Sequence, residues 1–188
     1  MAVVSVPHAT YDQFRNATLG HAYDVDGVPP NQPYQCYDYV DLLYEQSDVG
    51  QWLSTANTGS VKYCWLNTTA RANNGSGHFQ AISGVTNIKR GDIIVFDTYS
   101  GWYGSTGHIG FADEDYNGTN MIKLVSQNFY GYHYVVREDA YLGSAFLGIF
   151  RYKPWHTTPP TPTPTQGVKK KEFPWPVAWQ HWRNFKRK

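Results

Sequence analysis

Apolar and polar positions along the chain fall into two textures. In CYDYVDLLYE, Tyr39, Val40, Leu43 and Tyr44 recur at helical spacing after a Pro-rich loop, which predicts a helix beginning near Cys36. A second helical piece is expected over 50–56. After Arg90-Gly91 the pattern turns to short β-rich runs at 92–96, 108–112, 121–127 and 147–152, separated by Gly, Asn and Asp turn signals. Helices first and strands afterwards predict an α+β domain, with N-terminal helices packed on a mostly antiparallel sheet. No internal repeat interrupts this order.

The pattern stops at residues 157–167, TTPPTPTPTQG. Proline fixes φ and removes donors there, so neither helix nor sheet can persist and the stretch reads as a linker. The expected organisation is therefore a body at 1–156, a Pro/Thr linker at 157–167 and a basic aromatic tail at 168–188. With 188 residues, 41% of them hydrophobic, the chain has room for one real core and not for two large ones.

Charge separates the same segments. The formal net charge is +1, but residues 166–188 hold seven Lys or Arg against Glu172, leaving the body near −5 and the tail near +6. An acidic body lacks the basic footprint that counterion release requires, so nucleic acid is not an expected partner. No run approaches the roughly 18 apolar residues of a spanning helix. The start, MAVVSVPHATYDQF, lacks the basic residues and long apolar run of a signal peptide. Two cysteines, Cys36 and Cys64, are too few for a disulfide scaffold.

Cys36, in PYQCYDYVD, falls at the expected start of a helix. Unpaired N–H groups and the positive dipole end there stabilise an anion, which favours thiolate and offers donors to an oxyanion, with the Gln35 side chain as a second donor. An arbitrary cysteine is more often buried and inert, as Cys64 reads between Tyr63 and Trp65. His108 shifts that balance, because it opens the run GHIGFAD after a glycine-rich aromatic loop, where it can face a helix-borne cysteine as general base. A third group should orient the imidazole. In LVSQNFYG, period-two geometry puts Ser126 and Asn128 on one strand face and Gln127 on the other, and Asn128 is the preferred orienter. Trp102 is the expected groove aromatic, with Trp52, Phe129 and Tyr130 as further candidates.

Together, QCxD at a helix start, GDIIVF, GHIGF and SQN resemble the CHAP family, the cysteine, histidine-dependent amidohydrolases and peptidases of phage lysins and bacterial cell-wall hydrolases. The resemblance covers roughly residues 23–155. It implies a papain-like (NlpC-like) fold and cleavage of an amide bond in peptidoglycan, as N-acetylmuramoyl-L-alanine amidase or as endopeptidase, with Cys36 as nucleophile and His108 as base. Well-known phage members carry Glu where this chain has Ser126, two residues before an Asn matching Asn128, so the carboxylate of the third role is missing here. Some relatives bind calcium, and the DVDG segment with Asp24 and Asp26, followed by Asp38, is spaced to supply oxygen ligands to that ion. An acidic turn with an Asx hydrogen bond accounts for the same residues. No organic cofactor is implied, and a monomer acting on the cell wall is expected.

With no signal peptide in view, the chain fits a phage-encoded endolysin made in the host cytoplasm and acting on the wall after release. The tail then reads as the start of a wall-binding module or as a short attachment segment. Two rival readings remain: a wall-binding module that has lost catalysis, and a cysteine peptidase or acyltransferase acting on protein.

Overall fold

A computed structural model describes residues 5–25, 35–46 and 48–157. Five helices, α1 (Tyr11–Thr18), α2 (Cys36–Tyr44), α3 (Tyr63–Leu66), α4 (Thr68–Asn74) and α5 (Lys153–His156), surround six strands. The strands are β1 (Phe79–Ile82), β2 (Ile93–Phe96), β3 (His108–Ala112), β4 (Met121–Ser126), β5 (Val136–Tyr141) and β6 (Phe146–Tyr152). They form one sheet in the order β1-β6-β2-β3-β4-β5, and every neighbouring pair is antiparallel. The expected α+β architecture is thus the one observed. Of the expected linker only Thr157 is described, and residues 158–188 lie outside the described residues.

Each sheet face carries its own core. On one face α2 packs across β3, and Phe14, Tyr39 and Phe111 meet ring to ring at 5.1–5.6 Å between centroids. Tyr44 stacks on Phe79 at 3.8 Å, and Trp65 lies against Phe150. That last contact needs Gly148, because a Cβ there would lie 2.2 Å from the Trp65 ring. The other face gathers Ile94, Phe96, Ile122, Leu124, Ala140 and Ile149.

Helix α2 forms where its sequence predicts, and its turns are buried nearly all round, which explains its dense apolar content. The expected helix over 50–56 is absent. Backbone amides there are taken by side chains instead: Leu53 N–H donates to Asp41 Oδ1 at 2.8 Å and Ser54 N–H to Asn74 Oδ1 at 2.8 Å. Asn74 Nδ2 returns a bond to Ser54 O at 2.9 Å. Those partners come from α2 and α4, so tertiary contacts override the local helical pattern.

At the far side of the sheet Asp92, with no exposed surface, receives Arg151 in a two-pronged pair, Nε to Oδ1 at 2.8 Å and Nη2 to Oδ2 at 2.7 Å. Lys89 N–H adds a bond at 2.7 Å. A buried carboxylate is tolerated because its lone pairs are matched. Arg151→Met leaves that charge uncompensated and should lower unfolding free energy by about 3–5 kcal/mol, with part of the loss recovered in Arg151→Met/Asp92→Asn. Urea denaturation reads both, and a single-variant loss below about 1 kcal/mol would contradict the pairing argument.

Candidate active site

Cys36 is the first residue of α2 and is half-buried, with a free thiol. The chain enters the helix through Gln35 in extended conformation, φ −80° and ψ 163°. Two side chains fix this entry. Asp38 accepts the Gln35 N–H at 2.6 Å and the Val25 N–H at 3.0 Å. Gln127, fully buried just beyond β4, accepts the Tyr23 N–H at 2.8 Å and donates to Tyr23 O at 2.7 Å and Gln35 O at 3.0 Å.

Burial opposes the thiolate that a helix start favours. Desolvation pushes Cys36 up to about 12, and the nearby Asp38 charge adds to the rise. Backbone hydrogen bonding from Ile109, Tyr37 and Cys36 itself pulls the other way, as a helix start should, but burial outweighs it. The Ile109 bond also fixes location, since it brings the sulfur to the residue that follows His108.

His108 is the first residue of β3 and pairs with Phe96 on β2. Gly107 precedes it at φ +76°, and a Cβ there would lie 2.3 Å from the Phe96 carbonyl oxygen, so glycine lets the chain turn tightly into the strand. The imidazole lies parallel to Tyr103 at 5.7 Å and near Phe129 at 5.1 Å between centroids. This apolar setting disfavours the cation and lowers the ring to about 3. Burial thus favours the neutral form of both the imidazole and the thiol.

Nε2 of His108 lies 2.9 Å from Ser126 Oγ, and the Ser126 hydroxyl donates in turn to Glu138 Oε1. Ser126 has no exposed surface and Glu138 is half-buried. Burial raises the Glu138 carboxyl to about 8, while the Ser126 hydrogen bond works to lower it. Gly110 makes the line sterically feasible, because a Cβ at that position would sit 2.7 Å from the Ser126 Cβ.

Cys36 and His108 open on one cleft of about 450 Å³, lined also by Gln35, Trp102, Tyr103, Asn128 and Phe129. Among the described residues His108 makes its hydrogen bond to Ser126, and none links it to Cys36. Such bonds are often loose without substrate and close in the reacting complex. Nδ1 is the ring nitrogen left for that purpose.

Several expectations need correction. Asn128 does not hold the ring. Strand β4 ends at Ser126, and Asn128 takes a left-handed conformation, φ 59° and ψ 34°, which breaks the alternation that placed the two residues on one face. Its side chain is exposed at the cleft, while Ser126 takes the ring position. Trp102 and Phe129 line the cleft; Trp52, 71% exposed, does not, and the Tyr130 side chain lies outside what is described. Glu138 escaped the sequence reading because VREDAY looks like a charged loop. The available signal was the alternation of Val136, Glu138 and Ala140 against Arg137 and Asp139, which puts one glutamate on an inward face.

Of the three acidic residues spaced for calcium, Asp24 and Asp38 fall among the described residues. Asp38 spends both oxygens on backbone amides. Asp26 lies outside the described residues, and among those described no group of three or more His, Cys, Asp or Glu side chains converges. No described helix is long and apolar enough to cross a membrane.

No curated protein matches the sequence. Among solved structures, the chain is similar to the crystal structure of a wild-type endolysin, LysIME-EF1, with TM-score 0.50 and 21% identity over 73% of this chain and 60% of that one. It is also similar to Ly7917, with TM-score 0.48 and 19% identity over 74% of this chain and 60% of that one. The chain thus spans about 60% of the length of these structures. The likeness to LysIME-EF1 agrees with the papain-like α+β fold expected above. The CHAP domain family matches residues 25–128, a stretch that contains Cys36, His108, Ser126 and Asn128. With more than half of its length covered by that match, the chain belongs to the CHAP domain family.

Proposed function

We propose that this protein is a peptidoglycan hydrolase of phage endolysin type, which cleaves an amide bond by acyl transfer through Cys36 with His108 as base. The observation that carries the reading is the convergence of a helix-start cysteine and a strand-start histidine on one cleft in a CHAP chain.

The proposed chemistry follows from the neutral resting pair. As the sulfur attacks the amide carbonyl, His108 Nδ1 takes the thiol proton, so charge separation arises only along the reaction path. Backbone N–H groups at the start of α2, and the side chain of Gln35, which lines the cleft, are the proposed donors to the oxyanion. The imidazolium then protonates the leaving amine as the carbon–nitrogen bond breaks. Water, giving its proton to the same nitrogen, hydrolyses the thioester and returns the thiol and a free acid. Trp102 offers an aromatic wall to a sugar-peptide substrate. The Asp24, Asp26 and Asp38 segment would supply carboxylate oxygens if calcium binds there, a proposal that rests on spacing alone. A raised melting temperature on titrating calcium into chelator-treated protein would support it, and an unchanged one would remove it.

Cys36→Ala should abolish clearing of a Gram-positive cell-wall suspension, by more than about 10³-fold, while leaving thermal unfolding near that of the parent. Residual lysis at the parental rate would defeat the assignment, and release of new amino groups, resolved by mass analysis of digested walls, identifies the bond cut. Binding to walls with no release would favour the non-catalytic reading. Because burial holds Cys36 up near 12, alkylation by iodoacetamide should be slow at neutral pH and climb steadily above pH 9. Rapid alkylation that is flat from pH 5 upward would show a preformed thiolate instead.

A further inference from the structure

We propose that Glu138 is a positioning residue that, through the single hydroxyl proton of Ser126, selects the His108 tautomer able to act as base. The proposal rests on the reading of His108 as base, and it supplies the third-role carboxylate from a different strand.

Proton counting carries it. An ionised Glu138 can only accept, so across the Oγ–Oε1 contact it takes the Ser126 proton. Ser126 Oγ then meets His108 as an acceptor, at 2.9 Å from Nε2, and that nitrogen must carry hydrogen. Nδ1 is left with its lone pair, which is what thiol deprotonation requires. When Glu138 gains a proton it can donate to Ser126, whose own proton is then released to turn toward Nε2. This arrangement favours hydrogen on Nδ1 and disarms the base.

Among the described residues no ion pair reaches Glu138 or His108. The groups that face Glu138 are Ser126 from β4 and, beyond it, His108 from β3. The charged neighbours on its own strand are committed elsewhere, Arg137 to Asp113 and Asp139 to Lys123. Tyr103, which walls the ring, donates its hydroxyl to Tyr141 O at 2.7 Å. Nothing else among these groups competes for the Ser126 proton. Burial sets the window, since a carboxyl raised to about 8 ionises as pH rises through that value.

The test uses Glu138→Gln, which is isosteric, and Ser126→Ala, which cuts the line. With a soluble peptidoglycan fragment as substrate, each should lower kcat by about 10²-fold with KM within about twofold, and remove the rise in kcat near pH 8. Imidazole nitrogen NMR, with His108 assigned by comparison with His108→Asn, should show hydrogen on Nε2 in the parent above pH 8 and loss of that preference in both variants. The NMR measurement is repeated in a Cys36→Ala background, where it needs no turnover and so stands apart from the acyl-transfer reading. An unchanged tautomer in both variants, or an intact pH 8 limb in Glu138→Gln, overturns the proposal.

Discussion

Ser126 has one hydroxyl proton and lies, without exposed surface, between a carboxylate and an imidazole. That constraint decides the rest of the site. The pairing of β4 with β5 sets Ser126 opposite Val136 and Leu124 opposite Glu138, so the serine reaches the glutamate on a diagonal. On its other side the β3–β4 register, Phe111 with Val125 and Ala112 with Leu124, brings Gly110 beside Ser126 and leaves His108 on the opposite diagonal. The three polar groups thus lie along one oblique line across three strands. A slip of one residue in either register would turn Ser126 to the other face and break the line.

Much of this was legible in the chain, and its limits are physical. Cys36 and His108 sit at element starts, where a Pro-rich loop gives way to helical spacing and a Gly-rich loop gives way to a β run; local signals suffice there. Ser126 could be placed on an inward strand face by alternation. Glu138 could not be attached to it, because β4–β5 pairing is non-local and no local pattern states which strand will lie alongside. Asn128 misled for the complementary reason: alternation was extended past the strand end into a left-handed turn. The absent helix at 50–56 failed through side chains remote in sequence, Asp41 and Asn74, that captured its amides.

Buried charge is treated in two ways in this fold. Asp92 meets Arg151 in matched geometry and can serve the structure at neutral pH. No cation of this kind bears on Glu138 or Asp41 among the described residues, and burial raises them to about 8 and about 7. Their folded values exceed the ordinary carboxyl values, so the stability they contribute is complete below the ordinary values and is lost as pH climbs toward 7 and 8. His108 has the opposite sign. Its folded value is depressed, so its contribution is present above 6.5 and lost as pH falls toward 3. If His108 acts as base with an ionised Glu138 behind it, as proposed, the site is set for the alkaline side, where Glu138 is least favourable to folding. On that proposal function and stability oppose each other at this residue, as is common where polar groups are held in place for chemistry.

The remaining question is how a helix-borne sulfur and a strand-borne ring keep a common frame when no bond joins them directly. Residues 126 and 127 supply the answer, because consecutive side chains around a strand end point to opposite faces. Ser126 turns to the imidazole. Gln127 turns the other way and uses its whole amide on Tyr23 and Gln35, the residues that bracket the entry to α2. Asp38 closes the same entry from within the helix through Val25 and Gln35. The end of β4 therefore holds the start of the Cys36 helix on one side and His108 on the other. Consecutive residues of one strand end thus tie the entry of α2 and the imidazole to the same piece of backbone.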